Sequence, residues 1–225
     1  MTEYLKQIPL FSSLSNVELE AIEHVSFVKT FKKDQISLLE KEDGDTLFTI
    51  LTGKVKATAF SENGKEVIFS ILYEGDFFGD MSLLDGKPRS ASVVALEDSE
   101  VRMIRRPDFI SLLEKYPSIA LRLLEELTLR LRKADERIES LALLDVTGRI
   151  AGIILQLPGE KSCETPQSLL IKSRPTHQEL ANMAGTTRET VTRILKQLEQ
   201  RNYILMSGKD ITIIDPERFK RDLYL

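Results

Sequence analysis

The sequence predicts an α+β protein in three consecutive parts: a small antiparallel β barrel or jelly roll, a long amphipathic helix, and a C-terminal helix-turn-helix with a β-hairpin wing. Three observations predict this. Between Phe27 and about Met103, short apolar–polar alternations are cut at regular intervals by turn residues. From Pro107 the apolar spacing becomes helical, and from Pro117 it holds to the break before Asp145. Two short helical patterns around Gly185 are then followed by two apolar strands that flank Ser207-Gly208-Lys209-Asp210. The boundaries that follow are 1–116 for the barrel, 117–144 for the long helix and 145–225 for the winged part.

Residues 1–16 read as a short helical lead-in. Ser15 is the expected N-cap, with Glu18 three residues on, before an amphipathic stretch to Val25. Thr46–Leu51, Lys54–Ala59 and the denser run Val67–Leu72 read as strands. Asp43-Gly44-Asp45, Gly53, Asn63-Gly64, Gly75-Asp76, Gly79 and Asp85-Gly86 punctuate them. Asn63-Gly64 predicts a two-residue hairpin turn, because both residues tolerate positive φ.

The helical period begins at Pro107, and Pro117 suits the first turn of the long helix. Ala120, Leu124, Leu127, Leu131, Ala134, Ile138 and Leu141 then follow at alternating spacings of four and three, a heptad seam. Glu125, Arg130, Arg132, Lys133, Glu136 and Arg137 fill the other faces. A helix of about 28 residues is about 42 Å long, more than one small barrel covers. The expected partner is a second copy, giving a homodimer through residues 117–144; burial within its own chain is the alternative. Asp145 predicts the N-cap of the next helix and a hinge at Leu144–Asp145.

In the last part, Thr176-His177-Gln178-Glu179 reads as a capping box. A helix runs to Ala184, Gly185 takes the turn, and a second helix starts at Thr186 or Thr187 and runs to about Arg201. Leu180, Ala181, Ala184, Val191, Ile194, Leu195 and Leu198 are its expected core. Ala181 must be small because the helices cross there. Tyr203–Met206 and Ile211–Ile214 form the wing.

Composition narrows the function. The chain has 225 residues, 42% of them hydrophobic and 29% charged. No run approaches a membrane span, and Met1 to Lys6 lack a basic-then-apolar leader, so a cytoplasmic location is expected. The single cysteine, Cys163, cannot close an internal disulfide or alone hold a cluster. His24 and His177 are isolated, so no metal site is expected. The formal net charge is −4, but it is uneven. Residues 1–145 hold 19 basic and 26 acidic residues, and residues 146–225 hold 12 basic and 9 acidic. A basic last third can face phosphates while the acidic remainder keeps the protein soluble. There is no Ser–His–Asp order, no metal-ligand spacing and no P-loop, so an enzyme is not expected.

Three stretches carry a family resemblance. Phe78-Gly79-Asp80-Met81-Ser82-Leu83-Leu84, followed by Pro88-Arg89-Ser90-Ala91, resembles a cyclic-nucleotide phosphate-binding cassette. Leu144-Asp145-Val146-Thr147-Gly148-Arg149-Ile150-Ala151 resembles a hinge and its following helix. Thr187-Arg188-Glu189-Thr190-Val191-Thr192-Arg193-Ile194-Leu195-Lys196 resembles a recognition helix. In this order they are similar to the cyclic-AMP receptor protein (Crp/Fnr) family of bacterial transcription regulators, over essentially the whole chain.

The resemblance implies DNA reading by Arg188, Glu189 and Arg193 at a half-site similar to TGTGA. Arginine matches the N7 and O6 acceptors of guanine, and glutamate accepts from the cytosine amino group. Thr176, Gln178, Thr187, Thr190, Lys196 and Lys209 are candidates for phosphate contacts, which position without specifying. A twofold dimer would read a near-palindrome, and an activator would meet RNA polymerase. At the sensing end, Gly79, Asp80, Met81 and Ser82 open a short helix whose first N–H groups suit an anion. Arg89 and Ser90 add donors, and Asp80 would accept from a ribose hydroxyl. Arg130, Ala134 and Asp135 on the long helix complete the expected pocket. The cyclic-AMP members usually carry glutamate at the place of Asp80, and an adjacent hydroxyl pair where this chain has Ala134 and Asp135. Cyclic AMP, cyclic GMP, a cyclic dinucleotide, an unrelated small anion and no effector at all therefore stay open. No tightly bound cofactor is expected: the cysteine cluster of the oxygen-sensing branch and a pocket histidine for haem are both missing. The rival reading is a cyclic-nucleotide module acting on a protein partner, against which the Arg188-Glu189 pair in a helix-turn-helix speaks.

Overall fold

The computed structural model describes residues 5–6, 8–12, 14–161 and 167–223. The readings at Cys163 and at residues 1–4 lie outside the described residues. Residues 1–131 and 132–225 form two compact units.

In the first unit, a 3₁₀ turn at Pro9–Phe11 precedes helix α1, Asn16–His24. The expected capping box is present: the Glu18 N–H donates to Ser15 Oγ, and the Ser15 N–H donates to Glu18 Oε2 at 2.7 Å. Ser118 Oγ donates to the other Glu18 oxygen at 2.5 Å. These donors, Ser118 foremost, hold the Glu18 carboxyl below its ordinary value.

Eight antiparallel strands follow: β1 (Ser26–Phe31), β2 (Ile36–Leu38), β3 (Thr46–Thr52), β4 (Val55–Phe60), β5 (Glu66–Leu72), β6 (Phe77–Phe78), β7 (Ser92–Ala95) and β8 (Ser99–Arg105). They make two sheets, ordered β1-β8-β3-β6 and β2-β7-β4-β5, as a jelly roll requires. Period-2 alternation explains why β3 sits at the centre. Leu47 and Leu51 join the core shared with the helices, while Phe48 and Ile50 point into the barrel. Phe77 and Phe78 of β6 divide in the same way, and the Phe48 and Phe78 rings stack at 4.8 Å.

The β4–β5 turn differs from its prediction. Of Asn63-Gly64, only Gly64 has positive φ, at 74°. The Gly64 N–H donates to Ser61 O, and the Ser61 N–H to Lys65 O, each at 2.9 Å. The loop is thus a type I turn closed by a left-handed glycine, a three-residue solution.

Helix α2 (Asp80–Asp85) leaves β6, helix α3 (Arg106–Lys115) leaves β8, and helix α4 spans Pro117–Leu143. Within the first unit, α4 buries Ile119 and Leu123 with Leu127 packed beside them. Leu127, assigned above to the dimer seam, therefore faces its own core, because the inward row 119, 123, 127 runs one helical turn at a time. Leu124, Leu131, Ile138 and Leu141 of the seam stay exposed, at 60%, 63%, 65% and 52%.

The second unit holds the rest of α4 and helix α5, Val146–Gln156. Asp145 caps α5 as expected, accepting the Gly148 N–H at 2.8 Å. Helices α6 (His177–Ala184), α7 (Arg188–Gln200) and α8 (Pro216–Leu223) pack around one core. Ala181 is wholly buried, and Gly185 turns the chain at φ 65°. The wing strands, β11 (Ile204–Ser207) and β12 (Asp210–Ile213), belong to a four-stranded sheet with β9 (Glu160–Lys161) and β10 (Leu169–Ile171). The sequence reading had only the two wing strands and did not contain α8, whose Phe219 closes the core. Among the described residues, no helix is long and apolar enough to cross a membrane, and no cluster of metal-ligating side chains occurs.

Candidate functional site

Two constellations stand apart from the cores, one in each unit. In the first, the α2 segment brings Gly79 and Asp80 beside Arg89. Arg89 is fixed at its backbone, where its N–H donates to Glu42 O at 2.8 Å and its carbonyl accepts the Lys41 N–H at 2.9 Å. Its guanidinium is drawn inward. Nη1 donates to Gly79 O at 2.7 Å and Nη2 to Thr46 O at 3.0 Å. The residue is only 5% exposed, and Nε has no hydrogen-bond partner among the described residues. Burial lowers the Arg89 pKa from its ordinary value, and Asp45 and Asp80 act against this. Two glycines make the room. A Cβ on Gly44 would lie 1.8 Å from Arg89 Nε, and one on Gly79 would lie 2.6 Å from Thr46 O. Gly79 also adopts φ 83°, which L side chains rarely take.

Asp80 begins α2 and is 5% exposed. Its Oδ1 accepts from Arg130 Nη1 at 3.1 Å. Arg130 also donates to Phe77 O and lies 4.0 Å from the centre of the Phe77 ring. Arg130 thus reaches the cassette, as the sequence suggested, but it engages the carboxylate that was reserved for a ribose. Ser82 is buried, while Met81 and Ser90 are exposed and touch through Ser90 Oγ and Met81 Sδ at 3.3 Å. Ala134 and Asp135 lie exposed on α4, about one turn past Arg130.

In the second unit, α7 begins at Arg188 with Thr187 as its N-cap, accepting from the Thr190 N–H. Val191, Ile194, Leu195 and Leu198 are buried, whereas Arg188, Glu189, Thr192, Arg193 and Lys196 share the exposed side. Thr176 and Gln178 are exposed at the start of α6. Thr176 is the N-cap of a complete capping box, so its hydroxyl has a structural duty. Lys209 is exposed at the tip of the wing, after Gly208 at φ 59°, as a two-residue hairpin turn with glycine first requires.

Sequence reasoning missed the polar groups beneath this face. His177 Nδ1 meets Thr192 Oγ1 at 2.7 Å, and Arg174 Nη2 meets His177 Nε2 at 3.2 Å. Burial, Arg174 and Arg188 lower the His177 pKa from its ordinary value. It also gave Arg137 and Arg149 no role. Arg137 donates to Met183 O at 2.7 Å and Arg149 to Ala184 O at 3.0 Å. The cations thereby satisfy the last carbonyls of α6, where the helix dipole favours them. A donor matched to a helix end in space leaves no sequence signal.

Comparison with known proteins follows the same division. Residues 28–116 match the cyclic nucleotide-binding domain model, and residues 148–222 match the Crp-like helix-turn-helix domain model. The chain is 41% identical over 174 residues to the cAMP-activated global transcriptional regulator CRP of Salmonella typhimurium, covering 76% of this chain and 82% of that protein. The chain belongs to the Crp/Fnr family. A CRP-like cAMP-activated global transcriptional regulator of Mycobacterium tuberculosis is 29% identical over 221 residues, 98% of this chain and 99% of that protein. Among solved structures, the Thermus thermophilus catabolite activator protein aligns with TM-score 0.56 and 30% identity, covering 95% of this chain and 97% of that one. The c-di-GMP responsive global regulator CLP of Xanthomonas campestris aligns with TM-score 0.74 and 23% identity, over 88% of this chain and 99% of that one; this likeness shows the fold alone. As a Crp/Fnr member the chain is a DNA-binding transcription regulator with a nucleotide-binding domain.

Proposed function

We propose that this Crp/Fnr regulator binds near-palindromic DNA as a homodimer joined along α4, under the control of a cyclic nucleotide held at Arg89. The observation that carries the reading is Arg89 itself. A buried guanidinium with an unpartnered Nε is costly, and its fork geometry suits a phosphate. Gly44 and Gly79 leave the room that this guanidinium itself occupies. Asp80 accepts from Arg130 through one oxygen and keeps acceptor capacity for a ribose hydroxyl. When bound, the nucleotide would supply a phosphate for Arg89 and a ribose for Asp80. Arg130 ties this cassette to α4, which carries the signal toward the hinge at Leu144–Asp145. The effector drives the change by its differential affinity for the two states.

Cyclic AMP comes first among the effectors because the relatives in Salmonella typhimurium and Mycobacterium tuberculosis are named as cAMP-activated. Asp80, Ala134 and Asp135 are the places where another nucleotide would be favoured. At the DNA end, Arg188, Glu189 and Arg193 read bases, while Thr176, Gln178, Thr187, Thr190, Lys196 and Lys209 lie on or beside that exposed side and meet phosphates. RNA polymerase is the partner of the promoter-bound form.

The test is fluorescence anisotropy on a TGTGA-N6-TCACA duplex at fixed salt, with and without cyclic AMP, for the unsubstituted chain and Arg89→Leu. We expect specific binding strengthened by the nucleotide, and an Arg89→Leu protein with weak basal binding and no response. A full response in Arg89→Leu would sink the cassette reading. Specific binding indifferent to cyclic AMP would move the search to cyclic GMP and cyclic dinucleotides.

A further inference from the structure

We propose that Arg174, His177 and Thr192 form a one-way hydrogen-bond relay that fixes the recognition helix α7 to the turn of the wing, with His177 held as its Nδ1–H tautomer. The direction follows from donor chemistry. Arginine has only donors, so Arg174 Nη2, 3.2 Å from His177 Nε2, requires an unprotonated Nε2. A neutral imidazole then carries its proton on Nδ1, which faces Thr192 Oγ1 at 2.7 Å. That oxygen accepts, and its own hydrogen goes to Arg188 O at 2.9 Å. Each group donates onward, ending on the backbone of the residue that opens α7.

The other end of the relay is anchored in the wing. The Arg174 N–H donates to Lys209 O at 2.9 Å, the Ser173 N–H donates to Asp210 Oδ1 at 2.8 Å, and Arg174 Nη1 holds Pro175 O at 2.9 Å. The relay therefore joins the wing turn, the start of α6 and the first turn of α7, three elements that must present their side chains to one duplex. His177 acts here as a positioning residue. The charged groups facing it are Arg174, from the segment before α6, and Arg188, on α7. Both disfavour an imidazolium, which would also turn an N–H toward Arg174.

The inference rests on α7 being the helix that reads DNA, and the test separates the two. Long-range ¹H–¹⁵N spectroscopy of the full chain without DNA reads the tautomer. His177 should be Nδ1–H at neutral pH and revert in Arg174→Ala to the Nε2–H form that an unconstrained histidine side chain prefers. Finding Nε2–H in the unsubstituted chain overturns the relay whatever the DNA result. On the duplex, Thr192→Val should weaken specific binding about tenfold, the scale of one lost hydrogen bond, and Thr192→Ser should restore it. His177→Ala should weaken binding while leaving the slope of log affinity against log salt unchanged. A slope reduced by about one would make His177 a phosphate contact and overturn the positioning role. If the unsubstituted chain shows no preference for the duplex, the reading of α7 fails, while the tautomer still decides the relay.

Discussion

His177 shows how a residue with an unremarkable sequence position acquires a constrained proton. Burial and the charges of Arg174 and Arg188 lower its folded pKa below the ordinary value of 6.5, which an unfolded chain retains. Above that pH neither state holds the proton and the group leaves stability unchanged. As pH falls through about 6.5 the unfolded chain protonates first, so stability drops until the folded pKa is passed. We expect the melting temperature of the second unit to fall more between pH 7.5 and 5.5 in the unsubstituted protein than in His177→Asn; equal falls would show that His177 carries no linkage. The sequence displayed His177 only as the second residue of a capping box. Arg174 and Thr192 lie in other segments, so their convergence is a product of folding. Gly79, Asp80 and Arg89 lie in one short stretch, so the sequence could group them, whereas the Arg130–Asp80 pair required the fold to bring α4 against α2.

At the scale of elements, local chemistry made the helices readable. Ser15, Asp145, Thr176 and Thr187 each cap the helix that follows. The β4–β5 turn was misread because Asn63-Gly64 serves both two- and three-residue loops, and the hydrogen bonds of Ser61 choose between them. Helix α4 is the instructive case. Its heptad spacing was visible, but only packing shows that Leu127 turns inward while Leu124, Leu131, Ile138 and Leu141 stay exposed. A row of exposed leucine and isoleucine suits the proposed dimer, in which a second α4 would cover it. Replacing Leu131 and Ile138 together by Asp should yield a monomer in sedimentation equilibrium and weaken binding to the two-half-site duplex. A dimer of undiminished affinity would place the interface elsewhere.

For the whole molecule, the described cores divide cleanly. Residues such as Phe11, Leu47 and Phe109 belong to the first unit, and Ile150, Leu195 and Phe219 to the second. Calorimetry should therefore resolve two transitions. Leu195 is 1% exposed, so Leu195→Ala should destabilise the second by about 2–5 kcal/mol and leave the first in place; a common shift of both would mean that the units unfold as one. The division also accounts for the uneven charge. The acidic excess lies in the larger part, and the basic excess lies where α7 and the wing present Arg188, Arg193, Lys196 and Lys209. The strands β9 and β10 and helix α8 escaped the sequence reading because they are short, and their apolar residues are too few to set a period.

Gly44 offers nothing to touch, which is how it serves Arg89. A single methyl there would meet Arg89 Nε at 1.8 Å and Cζ at 2.1 Å, so the guanidinium would have to leave its carbonyl partners. In genetic terms, position 44 is a hidden allele of position 89. A selection for effector-blind regulators should return Gly44→Ala beside substitutions of Arg89, although a survey that scores only side-chain contacts would pass over it.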